Sequence, residues 1–321
     1  MMKKARGRGV GTTLLPHFMT TSTIDALAEL RTFLASGRFQ ASGAWMTDLD
    51  GTAVIEREGR IYLPPEVELG LKHVHDRGRP VIANTLRFPL SVIRVFGDDW
   101  HRATGADLPL VTLKGAQTGR IVRSASGEVA FEEWQAVTLS EAEIVEVMAG
   151  IEGMVGDGVT DLLVFHYGRD WRKGERIWTP DPARVDSVRA KYRSASSVFS
   201  GGVAELKETL LGEPMCMIFL LIDLPEDRLM AYQHTRRNNF FTHQGVNKRT
   251  GAERVALHMG IDLSASIGSG DAPPDDFLSA VGFAVIVGSN EVEYRGLEHT
   301  VRVDGITELG HLLAVVGESL R

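Results

Sequence analysis

One cysteine in 321 residues leaves no partner for a disulfide within the chain and no cysteine cluster for zinc. Cys216 lies in the apolar run 216–223 and reads as a buried small hydrophobe. No run of about 18 apolar residues occurs, so no membrane span is expected. Basic residues are outnumbered: 35 Lys and Arg against 42 Asp and Glu give a net charge of −7. That balance argues against a dedicated nucleic-acid binder. The one mixed basic and aromatic stretch, 234–241, falls where an insertion returns to its core, and reads as a hinge or substrate-facing edge. The ten histidines show no HExxH or other zinc spacing. No phosphate loop GxxxxGK[ST] and no GxGxxG after a strand is found, since Gly7, Gly9 and Gly11 have no strand before them. Acidic residues are missing before Asp25, and no continuous apolar stretch follows the early basic residues. Residues 1–43 are therefore read as a tail and a helix, not a targeting peptide, with the cytoplasm as the default location.

What is present is an ordinary globular composition, 43% apolar and 24% charged, in a chain about twice the length of a typical ~150-residue domain. Apolar spacing predicts a helix over 23–39 and a buried strand over 44–48. It then predicts a helix over 63–77, opened by Pro64 and Pro65, a strand over 80–85, a helix over 89–96 and a strand over 110–113. Strand–helix alternation with short connections indicates a parallel sheet wrapped by helices. From 119 to 241 the pattern changes to strands at 120–122, 129–134, 162–167 and 217–222, with helices at 140–151, 182–192 and 203–211. The first two strands read as a hairpin turning at Ser126-Gly127, and the whole segment as an insertion with its own small sheet. Alternation resumes from 248: helix to 258, strand 265–267, helix 276–281, strands 284–287 and 299–303, and helix 306–320. The expected fold is α/β, a Rossmann-like parallel-sheet core over 44–118 and 242–321 with helices on both faces. An α+β cap domain over 119–241 interrupts it.

Four clusters carry chemistry. Asp48-Leu49-Asp50-Gly51-Thr52 leaves the end of a buried strand, where ligands of open α/β sheets bind. Two carboxylates two residues apart can divide the work between nucleophile and proton donor, and they favour a hard cation such as Mg²⁺. An Asx turn closing the strand is the plain alternative. Asn84-Thr85-Leu86-Arg87 ends the next strand, where a hydroxyl beside free N–H groups can hold a phosphate oxygen or merely cap a helix. Lys248 opens a helix against the dipole and so needs a local reason, such as neutralising a phosphoryl group, or else simple exposure. Gly270-Asp271-Ala272-Pro273-Pro274-Asp275-Asp276 gathers three acids at another strand end, which either spread into water or share a cation. Asp98-Asp99-Trp100-His101 reads as a polar loop rather than a metal pair.

These four elements, in this order, resemble the haloacid dehalogenase superfamily of phosphohydrolases. The branch is the type IIB-like one of sucrose-phosphate and Cof-type phosphatases, with its cap inserted between the second and third motifs. Arg60-Ile61-Tyr62-Leu63-Pro64 after the first motif and GVNKRTGAERVALHMGI around Lys248 match that branch. The resemblance implies a Mg²⁺-dependent phosphatase acting on a small phosphorylated metabolite, a sugar phosphate first, through an aspartyl-phosphate. It makes Asp48 the nucleophile and Asp50 the general acid and base. Gly51, Thr52, Thr85, Arg87 and Lys248 would bind and neutralise the phosphoryl group. Asp48, the backbone carbonyl of Asp50, Asp271 and Asp275 would hold Mg²⁺. A phosphomutase or phosphotransferase using the same intermediate, and a non-catalytic binding module, are the alternatives. Three positions depart from the branch: Leu86 replaces a glycine, and Lys114-Gly115-Ala116 replaces Asn-Gly-Ala, with Lys114 read as a surface lysine. Pro274-Asp275 replaces Asn-Asp, which leaves Asp275 and Asp276 both open as the final acid. Nucleic acid and membrane are not expected partners, and no oligomeric state follows from the sequence.

Overall fold

The computed structural model describes residues 21–58, 60–222 and 240–320; most of the stretch 234–241 and the early glycines lie outside them. The first helical segment is two helices, α1 (Thr21–Ala35) and α2 (Arg38–Ser42), and not the single one expected. Gly37 adopts a left-handed φ of 72° between them, which ends α1 as glycine commonly does.

The chain then runs through β1 (Trp45–Thr47), β2 (Ile55–Arg57), β3 (Arg60–Tyr62), α3 (Pro65–Asp76), β4 (Val81–Asn84), α4 (Pro89–Val92), α5 (Asp98–Thr104) and β5 (Leu108–Thr112). A π-type stretch, Ile93–Gly97, joins α4 to α5. Asp98-Asp99-Trp100-His101 is therefore the start of a helix and not a loop. Its two acids suit a helix N-terminus, and Trp100 and His101 are buried. After β6 (Gln117–Arg123), β7 (Val129–Ala136) and α6 (Glu141–Gly156) come β8 (Leu162–Gly168), β9 (Arg176–Thr179), α7 (Val185–Lys191), β10 (Ser197–Ser200), α8 (Val203–Leu211), β11 (Met215–Ile222) and β12 (Phe240–Phe241). The last part comprises α9 (Lys248–Met259), β13 (Ile267–Gly270), β14 (Phe283–Val287), β15 (His299–Val303) and α10 (Ile306–Ser319).

An eight-stranded sheet has the order β15-β14-β13-β1-β4-β5-β6-β7. Its first six strands pair in parallel, and β6 and β7 add on antiparallel. These last two were expected in the insertion's own sheet. Only the four residues 113–116 separate β5 from β6, and a connection that short makes a strand fold back beside its predecessor. Side chains alternate between the two faces: Trp45 and Ala83 pack toward α1, α3 and α10, while Met46, Ile82 and Val111 pack toward α9. Helices thus cover both faces, and the fold is α/β with a parallel-rich sheet. Only residues after β7 build the second sheet, of order β10-β9-β8-β11-β12. Segment 276–281 is shorter than expected, a single 3₁₀ turn at Asp276–Ser279.

Candidate active site

Strand β1 lies between β13 and β4, where the chain order reverses and a crevice opens beyond the carboxyl ends of the strands. Asp48 follows β1 directly, and its N–H donates to the Ser269 carbonyl at 2.9 Å. Three successive N–H groups, of Thr52, Ala53 and Val54, converge on the Leu49 carbonyl. This tight turn sends Gly51 to a φ of 75°, and any Cβ there would strike the Asp271 carboxylate. Glycine is required by both constraints. Thr52 Oγ1 donates to Asp271 Oδ1 at 2.9 Å, tying the first motif to the last.

The second motif is held from β5. Thr85 takes its place through its N–H to the Val111 carbonyl at 2.9 Å. Its Oγ1 accepts from the Arg87 N–H at 3.1 Å, so it closes a turn and does not cap α4. Arg87 Nε and Nη2 grip both oxygens of Asp50, at 2.7 and 2.6 Å, a bidentate geometry that fixes orientation as well as charge. The Asp50 side chain is 53% exposed and lies outside the buried acid cluster. Gly51 and Thr52 thus meet Asp271, Thr85 follows the strand beside β1, and Arg87 faces Asp50.

Lys248 is the first residue of α9 and only 2% exposed. Its ammonium bridges Asp48 Oδ1 and Asp275 Oδ1, each at 2.6 Å, which is the local reason for a lysine at a helix start. The neighbouring Asn247 accepts from the Thr250 N–H and caps the helix. Asn84 Nδ2 donates to the Lys248 carbonyl at 3.1 Å, so the second motif also sets the place of the third. Asp275 folds back, its Oδ2 accepting from the N–H groups of Asp271 and Ala272, both at 2.9 Å. Asp276 turns the other way and accepts from the Arg249 N–H at 2.8 Å. Asp275 is therefore the acid inside the cluster, and Asp276 braces the start of α9.

The electrostatics follow from two buried carboxylates, Asp48 and Asp275, sharing one ammonium, with the half-buried Asp271 beside them. Burial pushes the Asp48 carboxyl well above the ordinary range; Lys248 pulls it back, and Asp275 and Asp271 push it further up. Burial likewise raises Asp271, with Thr52 opposing. Burial works against the Lys248 charge, but Asp275 and Asp48 outweigh it and hold the lysine above its usual pKa. Ligand atoms of Asp48, Asp271 and Asp275 lie within 4.8 Å of one another. With one ammonium against three acids, the donor set fits a hard divalent cation. Asp275 already spends both oxygens on Lys248 and on backbone, so Asp48 and Asp271 suit direct ligation and Asp275 suits bracing.

Sequence reasoning missed several supports. Thr112 Oγ1 donates to the Arg87 carbonyl, and the N–H groups of Leu113 and Lys114 donate to the carbonyls of Arg87 and Thr85. Leu113, Lys114 and Gly115 take successive left-handed φ values of 50°, 57° and 97°. Lys114 is half-buried rather than a surface lysine, and burial lowers its pKa while Asp276 raises it. A Cβ on Gly115 would collide with the Asn247 carbonyl, so the bare glycine admits the start of α9. Asn290 Nδ2 reaches the Asp271 carbonyl at 3.1 Å. The only hints in the sequence were the Lys114-Gly115 pair after β5 and a Gly-Ser-Asn turn after β14.

No family model and no curated protein matches the sequence. Solved structures do match. A haloacid dehalogenase subclass IIB sugar phosphatase is 15% identical at a TM-score of 0.59, over 85% of this chain and 100% of that one. A haloacid dehalogenase-superfamily phosphatase from Bacteroides thetaiotaomicron is 17% identical at 0.57, over 85% and 96%. A HAD/COF-like hydrolase from Plasmodium vivax is 19% identical at 0.60, over 88% and 99%. The chain has a haloacid dehalogenase type IIB-like fold.

Proposed function

We propose that this protein is a Mg²⁺-dependent phosphatase of a small phosphorylated metabolite, working through an aspartyl-phosphate on Asp48. The observation that carries the reading is the buried bridge of Lys248 between Asp48 and Asp275 at the carboxyl end of the central strand. An anionic nucleophile approaches an anionic phosphate only where fixed positive charge offsets the repulsion.

In the first step an Asp48 carboxylate oxygen forms a bond to phosphorus while the bond to the leaving oxygen breaks. Asp50 gives that oxygen its proton. In the second step Asp50 takes a proton from water, whose oxygen attacks phosphorus and returns Asp48 as a carboxylate. Lys248 and the Thr85 hydroxyl hold the transferring group, and Arg87 orients Asp50. Asp48 and Asp271, with the Asp50 carbonyl, would hold Mg²⁺, which supplies further charge neutralisation when bound. The five-stranded sheet, as a cap, would exclude water and limit substrates to small molecules. Resemblance puts sugar phosphates first among these, and the cytoplasm stays the default location. No helix among the described residues is long and apolar enough to cross a membrane.

Asp48→Asn tests the reading. Mg²⁺-dependent phosphate release from a panel of phosphate esters is expected to fall by at least about 10³-fold. Release at the wild-type rate would refute the role of Asp48. Product analysis in the presence of acceptor alcohols separates hydrolysis from transfer.

A further inference from the structure

The five-stranded sheet has two unlike faces. On one, Leu162, Val164, Trp178, Met215 and Ile218 pack under α6 and α8. The other looks toward the loops of the large sheet and includes Phe165, Tyr167, Ile177, Met217 and Phe219. Helix α7 covers β8 to β10 on this side through Val185 and Val188. Among the described residues, what it leaves is a strip on β11 and β12 made of Met217, Phe219, Leu221 and Phe240. Met217 is buried, whereas Phe219, Leu221 and Phe240 are half-buried.

This strip is continuous with the candidate site. Leu113 and Phe88, the residues beside Lys114 and Arg87, pack in the same cluster as Met217 and Phe219. Val246, two residues before Lys248, joins them. Strand β11 touches the Leu113–Gly115 turn, whose Lys114 N–H is bonded to the Thr85 carbonyl. At about 3.3 Å per residue, Phe219 lies roughly 7 Å beyond Met217 along the strand.

The chemistry of the strip is apolar and aromatic. Phe219 and Phe240 stack with centroids 4.4 Å apart and planes 11° apart, and Phe165 meets Phe219 at 5.2 Å. None of its four side chains carries a hydroxyl, amide or charge. The nearby Tyr167 hydroxyl is already donated to Glu175 at 2.6 Å. A polyol laid on this strip would lose water and find no partner among its four side chains, and unmatched buried hydroxyls weaken binding. A planar ring would instead extend the stack.

We infer that the Phe219–Leu221–Phe240 strip is the leaving-group subsite, and that it takes a planar, largely apolar ring in preference to a bare sugar. The inference rests on the phosphatase reading and narrows its substrate class.

The test compares 2-phenylethyl phosphate with a hexose 6-phosphate. Both are esters of primary alcohols, so intrinsic leaving ability is closely matched. Wild-type kcat/KM is expected to favour the ring ester by about tenfold or more, or roughly 1.4 kcal/mol. Phe219→Ala is expected to reduce that ratio about tenfold, chiefly through KM of the ring ester. Leu221→Asn, which adds a polar group two residues further along β11, is expected to shift the ratio toward the hexose without removing a ring. A wild-type preference for the hexose overturns the subsite. So does an equal loss on both esters in both variants, which would mark these residues as sheet packing. If no phosphate ester is hydrolysed and Asp48→Asn behaves as wild type, the phosphatase reading itself fails. Turnover that depends on Asp48 but favours the hexose removes only the ring subsite.

Discussion

Lys248→Met isolates the charge balance on which the site depends. Methionine keeps much of the buried stem but leaves Asp48 and Asp275 facing each other without the ammonium that touches both at 2.6 Å. Removing one partner of a buried pair typically costs about 3–5 kcal/mol, because the orphaned charge stays desolvated. For a chain of this size, that is a fall in Tm of roughly 4–7 °C. The pH dependence has a definite sign. The Lys248 pKa is raised, so its contribution is intact at any pH below the ordinary lysine value. The window from about pH 5 to about pH 8 is therefore governed by the carboxylates. Asp48 is already raised by burial, and without the ammonium it holds its proton to higher pH still. The deficit of the variant should accordingly shrink as pH falls and widen as pH rises. Mg²⁺ should stabilise the folded form by about 2.7 kcal/mol at one hundred times its Kd, and relatively more in the variant, whose acids lack any other cation. Thermal or urea unfolding at both pH limits, with Mg²⁺ and with chelator, reads all three effects. A deficit below about 1 kcal/mol, indifferent to pH and Mg²⁺, would show that the acids are not held as charges and refute the reasoning.

Gly115→Ala should lower kcat about tenfold or more through displacement of α9, since the added Cβ meets the Asn247 carbonyl. Gly127→Ala, also at positive φ but with open space around it, should leave kcat unchanged, and paired steady-state kinetics check this. His166 is buried with neither ring nitrogen hydrogen-bonded and a pKa lowered to about 3, by burial and then by Arg176. The unfolded chain takes up that proton first, so stability is lost as pH falls below the ordinary histidine value. His166→Leu should recover roughly 2–3 kcal/mol near pH 4.5, measured by urea unfolding across pH. Burial alone would raise Glu143, but hydrogen bonds from Ser140, His243 and Gln244 bring it to about 2. Its contribution is present above the ordinary carboxylate pKa and is lost as pH falls toward 2. Glu143→Gln should cost about 1–2 kcal/mol at neutral pH and almost nothing at the acid limit, read by the same unfolding series.

The first motif was legible because its chemistry is local: Asp48, Asp50, Gly51 and Thr52 all sit on one turn. Lys248 was legible as an anomaly, a cation at the wrong end of a helix, although its partners lie 200 residues upstream and 27 downstream. Asp275 and Asp276 could not be separated by spacing, because adjacent residues in a tight turn point opposite ways. Only the return of Asp275 onto the Asp271 and Ala272 N–H groups settles which one enters the cluster. Lys114 was misread for a similar reason. Its polarity suggested solvent, but a left-handed backbone and the bond to the Thr85 carbonyl draw it inward. The β6–β7 hairpin has the same alternation whichever sheet it joins, so the length of the turn before it, and not its own pattern, decides the pairing.

Topology explains why the chemistry had to be split along the chain. From β1 the chain builds outward on one side through β4, β5, β6 and β7. It then makes the second sheet and returns on the other side as β13, β14 and β15. The crevice at the end of β1 is therefore lined by both halves: Thr85 from the outgoing side, Asp271 and Asp275 from the returning side. Helix α9 closes the circuit, since its first residue carries the ammonium and its start rests on the bare Gly115 backbone. An acid cluster of this density would repel itself in a partly assembled sheet. It becomes tolerable only when α9 docks and brings Lys248, so the same contact that completes the fold also offsets the charge of Asp48.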